Sequence, residues 1–157
     1  MVLPAKHFFI VIENIESYMD TPNADKEQIM VKLEELTKDL YFISESDYPL
    51  EPITVAVDKS GDLSYEELRS IAGQAADASV EVVELTYFLR NMVKVPPETD
   101  PKQRETAFRF QTLQDFMLKS LSDVKVYRIG KVEIIALALG IAPSSECIGF
   151  KTKVIET

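Results

Sequence analysis

Along residues 24–40, apolar side chains at Ile29, Leu33, Leu36 and Leu40 recur at helical spacing, and Lys26, Glu27, Lys32, Glu34, Glu35 and Lys38 cover most of the remaining positions. This predicts an amphipathic helix with one face toward a core. Thr21-Pro22-Asn23 just ahead of it is a break and the site of its cap. Met1 to Asp20 carries two patterns at once. Phe8 to Ile12 is a contiguous apolar run of the kind a buried strand shows. Phe8, Ile12, Ile15 and Met19, however, fall on one helical stripe, with Pro4 suited to a first turn, and the reading leans to helix.

Beyond the first clear helix, Tyr41-Phe42-Ile43 leads into Ser44-Glu45-Ser46-Asp47-Tyr48-Pro49, where Pro49 and Pro52 prevent regular helix. Ile53 to Val57 is a short β-branched strand. Asp58 to Glu67 imitates a calcium-binding loop, but Ala56 stands where the first ligand belongs and the incoming helix is missing. The segment reads instead as a turn at Lys59-Ser60-Gly61 followed by a capping box, Ser64 with Glu67, that opens a helix bearing Leu68, Ile71, Ala72 and Ala75 inward. Val80 to Leu85 is a strand, and Thr86 caps a short helical turn through Leu89. Asp100, Pro101 and Gln103 start a long helix reaching about Leu121, with Ala107, Phe110, Leu113, Met117 and Leu121 on its inner face.

The last third alternates as β structure. Val124 to Ile129 and Val132 to Leu139 flank a two-residue turn at Gly130-Lys131. The second of these strands is apolar enough to be buried on both faces. Gly140 to Glu146 is a loop, and Ile148, Phe150, Thr152 and Val154 alternate with Gly149, Lys151, Lys153 and Ile155 in a final strand. The fold class is therefore α+β: an α/β/α sandwich with a central, largely antiparallel sheet of about five strands and helices on both faces. Residues 23–157 form one domain, and residues 1–22 are an N-terminal extension.

The 157 residues hold 26 acidic and 17 basic side chains, a net charge of −9. Such a surface repels nucleic-acid backbones and membrane phosphates and steers basic partners inward. The lone Cys147 excludes an internal disulfide and fits a reducing, cytoplasmic setting. No segment reads as a signal peptide or a membrane span. One histidine, His7, and five glycines leave no catalytic triad, zinc spacing or phosphate cradle. The chain reads as a non-enzyme without cofactors. Physically, Glu45 is an acidic residue on a Pro-bounded loop, ordinarily a solvated turn, and Thr157 ends the sequence, where fraying is ordinary.

Three blocks change that picture. Leu40 to Pro49, with its Ser-Glu-Ser-acidic-Tyr-Pro run, Val126-Tyr127-Arg128-Ile129-Gly130-Lys131-Val132-Glu133, and the closing Lys151 to Thr157 resemble, in order, the signature segments of the nuclease A inhibitor family. The resemblance spans roughly residues 28–157 and is loose over 55–105. It implies a protein that binds and blocks a sugar-non-specific, magnesium-dependent endonuclease. It also implies that Glu45 and Thr157 reach the divalent metal of that nuclease, with Ser44, Ser46, Asp47 and Glu156 around them in the partner-binding surface. Such a protein needs no metal of its own, and it touches neither nucleic acid nor membrane. The alternative is a non-catalytic interaction module of the same fold with another basic partner.

Overall fold

The computed structural model describes residues 22–56 and 63–157. Helix α1 (Pro22–Thr37) leads to short strands β1 (Tyr41–Ile43) and β2 (Asp47–Pro49), then β3 (Glu51–Val55). Helix α2 (Tyr65–Ala72), β4 (Val80–Val83), the single turn α3 (Leu85–Phe88) and the long α4 (Pro101–Ser120) follow. Three long strands close the chain: β5 (Ser122–Ile129), β6 (Glu133–Ile141) and β7 (Cys147–Ile155). The five-stranded sheet runs β3-β7-β6-β5-β4, every neighbour antiparallel, and β1 and β2 form a separate hairpin.

Alternation along β5, β6 and β7 divides the apolar side chains between two faces. Val126, Ala136, Ala138, Ile148 and Phe150 pack into the larger core with Leu33 and Leu40, α3, and Phe110, Leu113 and Met117 of α4. Ile129, Leu137, Leu139 and Cys147 face α2 through Leu68 and Ala72. The α+β sandwich with helices on both faces is thus the observed architecture. The inner face expected for α4, including Leu121 at its C-cap, is buried throughout.

Local caps set several boundaries. The Asp100 side chain accepts from the Gln103 N–H at 2.8 Å and starts α4, with Pro101 in its first turn. The Ser64–Glu67 capping box forms reciprocally: Glu67 N–H donates to Ser64 Oγ at 3.1 Å and Ser64 N–H to Glu67 Oε1 at 2.9 Å. Gly73, at φ 70°, then terminates α2 in a left-handed conformation, which leaves Ala75 beyond the helix and exposed rather than inward.

Other boundaries shift for comparable reasons. Helix α1 starts at Pro22 itself, since a proline's fixed φ suits a first helical position, and Asn23 lies inside the helix. It stops at Thr37, before Leu40: Asp39 takes φ 56°, and Arg109 of α4 donates to the Leu36 and Lys38 carbonyls there. Glu84, not Thr86, is the N-cap of α3, so β4 ends at Val83. Ile129 pairs with Ile135, so the β5–β6 connection is wider than the expected two-residue turn; the Gly130 N–H donates to Ser79 at the start of β4 instead of across the hairpin. Strand β6 extends through Gly140 and Ile141 because both still pair with β7, shortening the loop after it. The β1–β2 hairpin was not anticipated. The patterns assigned to residues 1–20, including His7, and to the Lys59-Ser60-Gly61 turn lie outside the described residues.

Candidate partner-binding site

The hairpin exists because its two ends are held. Phe42 of β1 is buried and stacks on Phe88 of α3, with ring centroids 4.6 Å apart, and the Leu50 N–H donates to the Leu40 carbonyl at its base. On the other side, Thr152 Oγ1 of β7 donates to the Tyr48 and Pro49 carbonyls at 3.3 and 3.0 Å. Lys153 places its ammonium 4.9 Å from the centre of the Tyr48 ring. The turn Ser44–Ser46 is thereby laid beside the end of β7.

Ser44 makes the junction. Its hydroxyl donates to the Ser46 carbonyl at 2.9 Å and accepts the Ile155 N–H at 3.0 Å. The Glu45 N–H reaches the Ile155 carbonyl at 3.4 Å. Glu45 then turns its carboxylate to the chain beyond β7: Oε1 accepts the Thr157 hydroxyl and Oε2 the Thr157 N–H, each at 2.7 Å. Both residues are exposed. The Thr157 hydroxyl, and after it the Thr157 N–H, stabilise the charged carboxylate and hold the Glu45 pKa below the ordinary glutamate value of 4.5.

Of the residues singled out from sequence, Ser44, Glu45, Glu156 and Thr157 meet at this one edge. Ser44 spends its hydroxyl inside the chain and so orients the turn. Ser46 contributes its carbonyl to the turn and is otherwise exposed. Asp47 opens β2 opposite Ile43, with its side chain exposed. Glu156 is held twice, by an N–H bond to the Val132 carbonyl at 2.9 Å and by Arg128 at 2.7 Å.

Arg128 lies in the second family-like block, and its residue type alone gives it no role. A signal was present: alternation places it on the same side of β5 as Val124 and Val126, both buried, and a charge at an inward position requires a partner. Also unforeseen is a cleft of about 290 Å³ between the hairpin and α3, lined by Phe42, Glu45, Tyr87, Phe88, Arg90 and Arg128. Arg90 lies 3.8 Å over the Tyr87 ring at its mouth. Exposed Ile43 and Tyr87, at 53% and 52%, add apolar surface beside the Glu45 carboxylate.

Among the described residues, no helix is long and apolar enough to cross a membrane. No curated protein matches the chain. The family model described as "Nuclease A inhibitor-like protein" matches residues 27–157, from within α1 through β7 to Thr157. A match over that much of the sequence, taken with the α+β sandwich whose sheet it includes, places this chain in the nuclease A inhibitor-like protein family.

Proposed function

We propose that the protein binds a sugar-non-specific, magnesium-dependent endonuclease and blocks its active site, with Glu45 offering carboxylate oxygen to the catalytic divalent cation of that enzyme. The observation that carries this is the Glu45 carboxylate itself. It is exposed at the tip of a braced turn and is held in its ionised form by Thr157.

Each Glu45 oxygen accepts one hydrogen bond, which leaves lone-pair capacity on both for an incoming cation. Divalent magnesium prefers oxygen donors of this kind. Filling its coordination position removes the Lewis acid that phosphodiester cleavage needs. Thr157 stands beside Glu45 as the second oxygen-bearing residue, and Asp47 and Glu156 extend the acidic rim, with the polar Ser46 between Glu45 and Asp47. A net charge of −9 makes the approach of a basic, nucleic-acid-binding enzyme faster. The protein acts as a binder, not as an enzyme, and its partner is the nuclease and not nucleic acid. Its setting is the cytoplasm.

The test is a titration of the protein into a magnesium-dependent, sugar-non-specific nuclease degrading plasmid DNA and RNA. Loss of both activities near one-to-one stoichiometry is the expected result. Full activity at a large excess of the protein sinks the proposal, and retained binding to a basic protein would then favour an interaction module of another kind. Residues 1–22 are proposed to be an extension of the inhibitor domain. A chain beginning at residue 23 should unfold cooperatively; a chain that does not would place the extension within the core.

A further inference from the structure

Arg128 stands outside the contact just proposed, yet its setting is unusual. It projects from the core side of β5 with only 16% of its side chain exposed. Nη1 binds Glu81 Oε1 at 3.1 Å and Nη2 binds Glu156 Oε2 at 2.7 Å. Its Nε is buried and has no hydrogen-bond partner among the described residues. A largely buried guanidinium with an unmade bond carries a desolvation penalty that an apolar side chain at the same point would avoid. Fold stability therefore supplies no reason for a cation here, whereas the geometry around Glu156 does.

The ladder between β6 and β7 ends at the Glu133–Ile155 pair. From that pair onward the chain has three tethers in succession. The Ile155 N–H is held by Ser44 Oγ. Glu156 is held by Val132 through its backbone and by Arg128 through its side chain. Thr157 is then in position to give both its N–H and its hydroxyl to Glu45. The middle tether joins the other two. Without the Arg128 grip, Glu156 keeps a single backbone bond beyond the last strand pair, and a segment so lightly held frays.

We propose that Arg128 is a positioning residue: by gripping Glu156 it fixes the direction in which the chain leaves β7, delivers Thr157 onto Glu45, and so orients the carboxylate that meets the partner. This rests on the reading of Glu45 given above. It gives the Val-Tyr-Arg block a role in binding although Arg128 lies on β5. The advantage is preorganisation, because a carboxylate already aimed loses less freedom when the nuclease arrives. The charged groups around Arg128 are Glu81 and Glu156, which it binds, and Arg90 and Glu45, which line the same cleft.

The experiment uses the full chain in four forms: parent, Arg128→Gln, Glu156→Gln and Glu81→Gln. The order of the Thr157 backbone amide is measured in the free protein by its heteronuclear NOE and its hydrogen exchange, and inhibition of a magnesium-dependent, sugar-non-specific nuclease is measured alongside. In Arg128→Gln and Glu156→Gln the Thr157 amide should lose order and exchange faster, as the segment after β7 frays. Inhibition should weaken by about 2- to 10-fold, the scale of one side chain that must be ordered on binding. Glu81→Gln should keep both properties, since it leaves the Glu156 arm intact. Glu156→Gln alters an exposed side chain, so it carries the test even if Arg128→Gln fails to fold. A Thr157 amide as ordered in Glu156→Gln as in the parent overturns the proposal, as does weakened inhibition by Arg128→Gln with the amide unchanged. If the amide loosens as expected but even the parent fails to inhibit, the positioning chain stands and the inhibitory function falls.

Discussion

Two serine–glutamate pairs in this molecule use the same chemistry to opposite ends. At the start of α2, Ser64 and Glu67 bind each other's backbone N–H groups within a span of three residues. Both of these bonds close one helix terminus. At the hairpin turn, Ser44 and Glu45 reach the end of β7, more than a hundred residues away, with Thr157 lying 112 positions beyond Glu45. The first pair is structural and self-contained. The second ties two distant segments into one surface and leaves the Glu45 carboxylate at the solvent boundary with coordination capacity to spare. Residue type does not distinguish these pairs. The sequence distance over which their hydrogen bonds close does.

Breaking the second pair should give the larger effect. Glu45→Gln retains size and polarity but removes the charge, and with it one charged partner of the desolvated contact. Inhibition of the nuclease should thus weaken by roughly 30-fold to several thousand-fold, while the thermal unfolding midpoint stays close to that of the parent. Parent-like inhibition by this variant would remove Glu45 from the site.

Ser64→Ala should do the reverse. Losing an N-cap costs about 1 kcal/mol of stability, a fall of roughly 2–4 °C in unfolding midpoint for a domain of this size. The inhibition constant should be unchanged at a temperature where both proteins are folded. A selective loss of inhibition would mean that α2 belongs to the binding surface.

The smallest effect concerns acid. The folded-state pKa of Glu45 lies below its ordinary value of 4.5, so the clasp on Thr157 contributes fully above the unfolded pKa and is lost as pH falls through the lower folded one. The Thr157 amide resonance should shift with that transition on the acid side of 4.5 and stay constant through neutrality. A Thr157 amide that ignores the protonation of Glu45 would show that the clasp does not hold in solution.

The same distinction explains what was legible in the sequence. The capping box, the Asp100 cap and the inner face of α4 were readable because each is written within a few residues or at a fixed period. The sheet was readable as alternation ending in three consecutive antiparallel strands. The hairpin was not, since Tyr41–Ile43 and Asp47–Pro49 are three residues each and depend on Phe88 and Thr152 for support. Nothing local joins Glu45 to Thr157, and only resemblance to a family singled the two out. Arg128 fell between these cases: its inward position follows from alternation, but the identity of its partners depends on how distant strands and the segment after β7 come together.

The place of β7 in the sheet has a consequence for how the molecule is made. The strand lies between β3 and β6, and it also carries the threonine that fastens the hairpin. Among the described residues strand β3 is an edge paired only with β7, although nearly a hundred residues separate them in the chain. Pairings of such high sequence separation form late and slowly, because a long loop must close first. During synthesis β3 and the hairpin leave the ribosome long before their partner does. They must wait for β7, and its arrival completes the sheet, seats the turn and brings Thr157 to Glu45 in a single event. A nascent chain stopped short of β7 would therefore lack every contact that holds Glu45 against Thr157.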